Sequence, residues 1–205
     1  FNTALDMGVF VPPVMRTVNG RKAIDLTAPS TFGLWCRKVW VVPGLEPNPR
    51  NVVPYNITDP HFAIVAVAVP AATSGIVFQA SAADGAYTSE LAFDAGRPQA
   101  RWVDSSGVSV VLTSPAALAP NAPAVISFTS KAGAQQFRVN SAVQGSGTVS
   151  FASSLYGNDQ LLLGSGFISH FPRDGFGGYL FSAITGRGTP SPAELQVLER
   201  YLGTT

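Results

Sequence analysis

The sequence contains few of the residues that usually carry redox or metal chemistry. Its 205 residues include one cysteine, Cys36, and two histidines, His61 and His170. One cysteine excludes an internal disulfide, and two histidines exclude a three-histidine zinc site. A Gly-x-Ser-x-Gly segment and a glycine-rich phosphate loop with its lysine are both missing. We therefore predict no metal and no cofactor, with Ca²⁺ as the one ion for which loop oxygens are present. These oxygens belong to Asp84, Asp94, Asp104, Asn158 and Asp159.

Charge is also scarce. Asp, Glu, Lys and Arg make up 12% of the chain, against roughly a quarter in typical soluble domains, and the formal net charge is +1. The dipeptides Arg21-Lys22 and Arg37-Lys38 are interpreted as solvated turns, and the other basic residues are dispersed. The sequence therefore predicts no nucleic-acid partner.

Long hydrophobic runs are missing too. The longest one, residues 62–69, is far shorter than the roughly 20 residues needed to span a bilayer, so we predict no membrane segment. The sequence opens at Phe1 without the charged and apolar regions of a signal peptide, which leaves the compartment open.

Glycine and proline are abundant, with 20 and 16 residues respectively. Turn signals separate short apolar runs at intervals of about ten residues, which is typical of an all-β sandwich of two antiparallel sheets. Residues 144–147, Gln-Gly-Ser-Gly, are interpreted as one of these turns. The strands are predicted at 62–69, 75–80, 87–93, 99–103, 108–112, 124–129, 136–140, 148–151, 160–163 and 177–184.

Residues 1–60 differ from the rest of the chain in proline content and in hydrophobic pattern. They contain eight of the sixteen prolines and no sustained hydrophobic period, which indicates an extended arm preceding a β-sandwich at 61–205. Because the arm is too apolar to remain in water, it packs either on its own domain or on a neighbouring subunit. Within the arm, residues 23–26 are a candidate edge strand of the main sheet. The candidate assembly contacts are Phe10, Val11, Val14, Trp35 and Trp40.

One helix is predicted near the end of the chain. Ser191-Pro-Ala-Glu194 has the pattern of a capping box with proline at the first helical position. Leu195, Leu198 and Leu202 recur at helical spacing, so this face is expected to pack on the sandwich. Gly203 is placed to end the helix.

Five segments in order carry a family resemblance. They are the strand at 62–70, the pair 124–129 and 136–140, the strand 161–164, the glycine-led strand 178–184, and the Ser-Pro-Ala-Glu helix. From about residue 60 onward, this series resembles the laminin-G-like branch of the concanavalin A-like lectin/glucanase superfamily. The resemblance implies a jelly roll of two antiparallel sheets, one of them concave, that binds glycans or proteins and in some members cleaves polysaccharides.

Two positions depart from the family pattern. Phe181-Ser182 stands where the family usually has Asp-Glu, and Asn140-Ser141 stands where it usually has Asn-Gly. The combination of a laminin-G-like sandwich with a long arm resembles tail, fibre and coat-associated proteins of bacteriophages.

The carboxylates argue against a glycosidase. Such enzymes need two carboxyl groups about 5 to 9.5 Å apart, whereas Glu90 and Asp94 on one strand lie roughly 13 Å apart. A cross-strand pair of Glu90 with Asp104 is the remaining arrangement, so we predict a protein without enzymatic activity and keep a polysaccharide hydrolase or lyase as the weaker alternative.

Aromatic rings beside polar groups are the residue types that bind sugars. Trp102, flanked by Arg101, is one candidate platform, with packing between the two sheets as the alternative. His170 is a second candidate and lies in a predicted loop; the alternative is that it is an ordinary solvent-exposed loop residue. The candidate glycan-binding residues are Tyr87, Trp102, Asp104, Tyr156, Asn158, Asp159, His170 and Arg173.

Two functions are expected from these features. The first is a non-catalytic structural and recognition protein that forms homo-oligomers and is displayed on a larger assembly such as a phage virion. The second is a glycan-binding lectin module at a cell surface or host receptor. Both predict protein or glycan partners and a virion or extracellular location.

Overall fold

The computed structural model describes residues 14–27, 34–37, 59–81, 88–103, 109–148, 160–168 and 171–204. These residues form fifteen strands and one helix. The first eight strands are β1 Val14–Val18, β2 Arg21–Asp25, β3 Leu34–Arg37, β4 His61–Ala68, β5 Gly75–Ser81, β6 Thr88–Asp94, β7 Arg97–Val103 and β8 Ser109–Thr113. The remaining elements are β9 Ala124–Lys131, β10 Ala134–Val139, β11 Ala142–Gly147, β12 Gln160–Leu163, β13 Gly166–Ile168, β14 Phe171–Arg173, β15 Tyr179–Arg187 and α1 Pro192–Thr204.

Two antiparallel sheets form the predicted jelly-roll sandwich. The larger sheet has seven strands in the order β1-β2-β15-β4-β9-β10-β11, and the smaller has six in the order β3-β12-β5-β6-β7-β8. A separate pair, β13 and β14, lies between β12 and β15 in sequence. The neighbouring strands of each sheet are often distant in sequence, as a jelly roll requires. The predicted fold class is confirmed.

Strand β4 is buried on both of its faces, as its unbroken apolar sequence predicts. Val65 and Val67 belong to the core between the sheets, whereas Ile64 and Ala66 belong to a smaller cluster with the helix residues Leu195 and Leu202. Because alternate residues of a strand point to opposite faces, a strand between two apolar layers needs apolar residues at every position.

Helix α1 begins with the predicted capping box. The backbone N–H of Ser191 donates to Glu194 Oε2 at 2.7 Å, and the N–H of Glu194 donates to Ser191 Oγ at 3.3 Å. These bonds hold the pKa of Glu194 below its usual value of 4.5. The helix runs through Gly203 to Thr204 rather than ending at Gly203. In the described part of the chain, no helix is long and apolar enough to cross a membrane.

Arg21 is not a solvated turn residue, contrary to the sequence interpretation. It lies in β2, and its guanidinium donates to the carbonyl oxygens of Gly203 at 2.8 Å and Leu202 at 3.0 Å. The guanidinium also stands 4.3 Å from the centre of the Phe181 ring. The last carbonyls of a helix have no partner within the helix, so Arg21 closes the end of α1.

The first 60 residues contribute strands to both sheets. The β1–β2 hairpin joins the seven-stranded sheet through pairing of β2 with β15, and β3 pairs with β12 in the six-stranded sheet. The candidate edge strand at 23–26 overlaps β2, but β1 lies outside it in the sheet order. The domain boundary at residue 60 and contact of the arm with a neighbouring subunit remain predictions.

The hairpin of β10 and β11 corrects one predicted turn. Residues 144–147 form part of β11 instead, and the turn lies at Asn140-Ser141, where both residues have positive φ, 48° and 67°. Two consecutive positive φ values match the hairpin twist, and Asn-Gly is the pair that adopts them most readily in two-residue turns. Of the strand predicted at 148–151, Thr148 lies outside any strand and the other residues lie outside the described ones.

Candidate functional site

Trp102 is not a surface platform for a ligand. Its side chain is 0% exposed and packs between the sheets, with its ring edge-on to Phe128 at 5.2 Å between ring centres. Adjacent residues of β7 point to opposite faces, so Trp102 faces the core while Arg101 faces outward. The candidate is therefore wrong, and the alternative of packing between the sheets is what the structure shows.

The other candidate residues are only partly within the described chain. Val14 is exposed on β1, and Trp35 lies on β3 with its backbone opposite Leu162. The backbone of Arg173 belongs to β14. The remaining candidates lie outside the described residues: Phe10, Val11, Trp40, Tyr87, Asp104, Tyr156, Asn158, Asp159 and His170.

The outer face of the six-stranded sheet, which points away from the seven-stranded sheet, carries a line of polar side chains. Gln79 on β5 is opposite Glu90 on β6, which is opposite Arg101 on β7. Residues that alternate with them, such as Phe78, Leu91 and Ala100, belong to the core. We call Gln79, Glu90 and Arg101 the polar row.

Hydrogen bonds and charge hold the polar row together. Gln79 Nε2 donates to Glu90 Oε1 at 3.3 Å, and Arg101 Nη1 lies 3.8 Å from Glu90 Oε2. Arg101 also donates from Nε at 2.9 Å and from Nη2 at 2.8 Å to Gln99 Oε1. Gln99 Nε2 in turn donates to Thr113 Oγ1 on β8 at 3.1 Å. The Arg101 guanidinium is thus held by Gln99 on one side and by Glu90 on the other.

Two hydroxyl groups lie beside the polar row. Ser81 and Thr88 are opposite each other on β5 and β6, two residues along from Gln79 and Glu90 and therefore on the same face. Both side chains are buried, and neither Ser81 Oγ nor Thr88 Oγ1 has a hydrogen-bond partner among the described residues. We call Ser81 and Thr88 the hydroxyl pair.

Exposure increases along the polar row toward β8. The Glu90 side chain is 2% exposed and that of Arg101 is 26% exposed, while Val111, which lies opposite Arg101 on β8, is 50% exposed. The face is therefore closed at β5 and β6 and accessible at β7 and β8. Arg101 is therefore partly open to solvent on the β8 side.

The alternation of residues along β6 and β7 is a sequence signal for the polar row. In Thr88-Ser-Glu-Leu-Ala-Phe-Asp, three of the four even-numbered residues are polar, and in Gln99-Ala-Arg-Trp the two polar residues alternate with Ala100 and Trp102. This period places Glu90 and Arg101 on the faces opposite to Leu91 and Trp102. The pairing of Glu90 with Arg101, however, depends on the register of β6 and β7.

His61 forms a second polar contact, located between the sheets. Its Nδ1 is 2.7 Å from the carbonyl oxygen of Asp59 and its Nε2 is 2.9 Å from Ser89 Oγ on the opposite sheet. Because a carbonyl oxygen only accepts, Nδ1 carries the proton and Nε2 accepts from Ser89. Burial lowers the pKa of His61 to about 4, despite the opposing effect of Asp59. The imidazole is therefore neutral and links the two sheets.

Metal ligation has little support in the described chain. Within the described residues, no group of three or more His, Cys, Asp or Glu side chains could hold a metal ion. Of the candidate calcium ligands only Asp94 is described, and its carboxylate lies 3.4 Å from the guanidinium of Arg97. The other four candidates, Asp84, Asp104, Asn158 and Asp159, lie outside the described residues.

Several solved structures share this architecture. Domain 4 of AbnA, a GH43 extracellular arabinanase from Geobacillus stearothermophilus in complex with arabinotriose, matches with TM-score 0.63 and 15% identity over 93% of this chain and 82% of that one. The CBM40 of a Ruminococcus gnavus IT-sialidase, bound to alpha2,3 sialyllactose, matches with TM-score 0.62 and 14% identity over 86% of this chain and 96% of that one. Domains LG4-5 of the mouse laminin alpha1 chain match with TM-score 0.59 and 13% identity over 87% of this chain and 44% of that one.

Sequence comparison adds no closer relative. No protein-family model matches the chain, and no characterised protein matches it at a significant level. At 13 to 15% identity the structural likeness shows the fold alone. The chain therefore has the concanavalin A-like jelly-roll fold of laminin G domains and of these carbohydrate-bound domains.

Proposed function

We propose that this protein is a non-catalytic carbohydrate-binding module that acts outside the cell and binds its ligand on the outer face of the six-stranded sheet. The observation that carries the proposal is the polar row, in which Arg101 is partly exposed and held by Gln99 and Glu90. Planar amide, carboxylate and guanidinium groups bind sugar hydroxyls well because each offers two hydrogen-bonding atoms. Two structures of similar fold hold an oligosaccharide, which supports this ligand class.

The same face argues against a hydrolase. Within the described strands, the residues opposite Glu90 are Gln79 and Arg101, so no second carboxylate flanks it there. Glu90 is buried and engaged by both neighbours rather than open to a glycosidic bond. Glycosidases of both stereochemical classes need a pair of carboxyl groups across the scissile bond.

Binding to a glycan array followed by titration calorimetry tests the proposal. Arg101→Met keeps the aliphatic stem and removes the hydrogen bonds, and we expect an affinity loss of about tenfold or more, since a charged hydrogen bond contributes roughly 1.5–3 kcal/mol. Arg97→Met is the matched control, because Arg97 lies at the start of β7 on the same face, with its side chain about half exposed. No binding to any glycan, or equal binding by both variants, contradicts the proposal.

We also propose that the protein is displayed on a larger assembly, such as a phage virion, through its first strands. Strand β1 pairs only with β2 among the described strands. Its Val14 and Met15, which point to opposite faces, are 53% and 57% exposed. A strand that presents apolar side chains on both faces is suited to a protein contact.

Light scattering after size-exclusion chromatography tests the assembly proposal. We expect an oligomer of the intact chain and a shift toward monomer in the double variant V14S/M15S, with Val143→Ser as a control for loss of an exposed valine elsewhere. An intact chain that stays monomeric at high concentration contradicts self-assembly through β1.

A further inference from the structure

The β1–β2 hairpin turns at Asn19-Gly20, which is the one Asn-Gly dipeptide in the sequence. Val18 pairs with Arg21 across the turn, so the loop has two residues, and both have positive φ, 50° and 79°. Both are exposed, and apart from chain neighbours no described atom lies within 4 Å of the position that a Cβ atom would take at Gly20. The peptide bond between Asn19 and Gly20 is therefore open to water.

The Asn19 side chain ties the tip of this hairpin to a distant part of the chain. Its Nδ2 donates to the carbonyl oxygen of Asn121 at 2.7 Å. Asn121 lies in the connection between β8 and β9, where its own N–H donates to the carbonyl oxygen of Val69 at 2.6 Å. The residue that accepts from the Asn19 amide is thus itself fixed by a second hydrogen bond.

Few other contacts hold the tip among the described residues. Strand β2 pairs with β15 through Ile24 and Asp25, at the end of the strand farthest from the turn. Strand β1 pairs with β2 and with no other described strand. Nearer the turn, Arg21 donates to the last carbonyls of α1. The tip of the hairpin is therefore held in place mainly by Asn19 and Arg21.

An Asn-Gly pair can lose ammonia without an enzyme, since glycine has no side chain to obstruct the approach of its backbone nitrogen to the asparagine side chain. After losing its proton, the nitrogen of Gly20 bonds to Asn19 Cγ, the Cγ–Nδ2 bond breaks, and Nδ2 leaves as ammonia. Water then opens the resulting cyclic imide at one of its two carbonyl carbons, which leaves aspartate or isoaspartate at position 19. Water is the one co-reactant, and no atom is oxidised or reduced.

We propose that Asn19 deamidates spontaneously and that this reaction releases the hairpin tip from the β8–β9 connection. Both products replace the amide donor with a carboxylate, which only accepts hydrogen bonds. The carboxylate then faces the carbonyl oxygen of Asn121 without a proton between them, so the two groups separate. In the isoaspartate product, the backbone also runs through the side-chain methylene, which removes the two-residue turn geometry.

Ageing of the intact folded protein at mildly alkaline pH tests the reaction. Trypsin cuts after Arg16 and Arg21, so position 19 is recovered in the short peptide 17–21. We expect mass spectrometry to find aspartate and isoaspartate forms of this peptide that accumulate with time. The Gly20→Ala variant, whose extra methyl group obstructs the attacking nitrogen, is expected to react at least about tenfold more slowly.

Two other asparagines in the same molecule serve as internal controls. Asn121 and Asn140 are exposed and have positive φ, 59° and 48°, but the residues that follow them are Ala122 and Ser141. We expect both to deamidate at least about tenfold more slowly than Asn19. Equal rates at all three positions would overturn the assignment of special reactivity to the Asn-Gly turn.

Hydrogen exchange measures the release of the hairpin. Asn19→Asp reproduces the aspartate product, and we expect amide exchange in residues 14–25 to become about threefold to tenfold faster. Asn140→Asp is the matched control, because Asn140 Oδ1 accepts from the backbone N–H of Val125 at 2.8 Å and a carboxylate keeps that bond. We expect it to leave exchange in residues 14–25 unchanged.

The reaction and the release are overturned by different results. Asn19 that stays intact in the folded protein, whether or not the urea-unfolded chain is modified, overturns the reaction. Unchanged exchange in residues 14–25, both in Asn19→Asp and in aged protein that carries the modification, overturns the release. Thermal unfolding of every variant shows that the fold is intact before exchange rates are compared.

Discussion

Glu199 on α1 and Arg138 on β10 form a buried ion pair that joins the helix to the seven-stranded sheet. Arg138 donates from Nε to Glu199 Oε1 at 3.0 Å and from Nη2 to Glu199 Oε2 at 3.3 Å. Ser127 Oγ on β9 donates to the same carboxylate at 2.6 Å. The helix is thus held on the sheet by its apolar side chains and by one fully paired carboxylate.

Removal of one partner of this pair is expected to destabilise the protein strongly. Arg138→Met leaves Glu199 buried without its counter-charge, which costs about 3–5 kcal/mol of unfolding free energy. The double variant R138M/E199L removes both charges and is expected to recover most of that loss. Urea unfolding followed by tryptophan fluorescence measures both. Arg200→Met, on the exposed side of the helix, is the control, and an equally small effect of Arg138→Met would contradict the prediction.

His61 predicts a pH dependence of stability. Its pKa is lowered by burial to about 4 in the folded chain, against 6.5 for an ordinary histidine. Between these two values the unfolded chain binds a proton that the folded chain does not, so unfolding free energy falls as pH falls from 6.5 to 4. The loss totals about 3 kcal/mol, is absent above pH 6.5 and is complete below pH 4.

The variant His61→Gln isolates this effect. Asp25 and Glu194, whose pKa values lie below 3.8 and 4.5, titrate in both proteins and cancel in the comparison. Urea unfolding at a series of pH values is expected to show a shallower slope for the variant between pH 4 and 6.5. Parallel curves for the two proteins would exclude a lowered pKa of His61.

Arg21 is expected to stabilise the end of helix α1. Arg21→Met removes two hydrogen bonds to the last helical carbonyls and the contact with the Phe181 ring, at a cost of about 1–3 kcal/mol. Arg21→Lys retains a cation near the helix end and is expected to recover part of the loss. Thermal unfolding measured by circular dichroism compares them with Lys22→Met, whose side chain is exposed. Equal melting temperatures for Arg21→Met and Lys22→Met would mean that the contact contributes nothing.

Gly75 is required by a close approach of two backbone segments. Its φ is +129°, and a Cβ atom there would lie 2.3 Å from the carbonyl oxygen of Gly175 and 2.8 Å from that of Asp174. Gly75→Ala is expected to cost about 3 kcal/mol or more through strain and overlap. Gly20→Ala, at φ +79° with nothing within 4 Å, is the control and is expected to cost only about 1–2 kcal/mol. Unfolding free energies of the two variants check the difference, and similar values would contradict it.

Patterns among neighbouring residues predicted much of the fold, because strand burial and helix capping depend on residues that are close in sequence. The continuous apolar run of β4 and the Ser191–Glu194 capping box each depend on residues within a few positions of one another. Residues 144–147 of β11 were predicted as a turn because Gly145 and Gly147 are typical of turns, although pairing with β10 holds them extended. Glycine content is therefore a weak guide where a neighbouring strand supplies the hydrogen bonds.

Contacts between separate elements were harder to predict because they are non-local. Arg21 and Gly203 are 182 residues apart in sequence, and nothing near Arg21 indicates that a helix end will lie against it. Trp102 was predicted to bind sugar because its ring is aromatic, but its position on β7 points the ring into the core. The period of two along β6 and β7 contained the polar row, but only the strand register shows that Glu90 meets Arg101.

The position of β15 has a consequence for biosynthesis. This strand, at residues Tyr179–Arg187, lies between β2 and β4 in the sheet, although β2 and β4 both precede it in the chain. During synthesis, about 150 further residues must therefore be added after the β1–β2 hairpin before β15, its neighbour in the sheet, is made. Because such distant pairing slows folding, the edge of β2 and the side chain of Ala23, which is 1% exposed in the folded chain, stay uncovered until β15 is made.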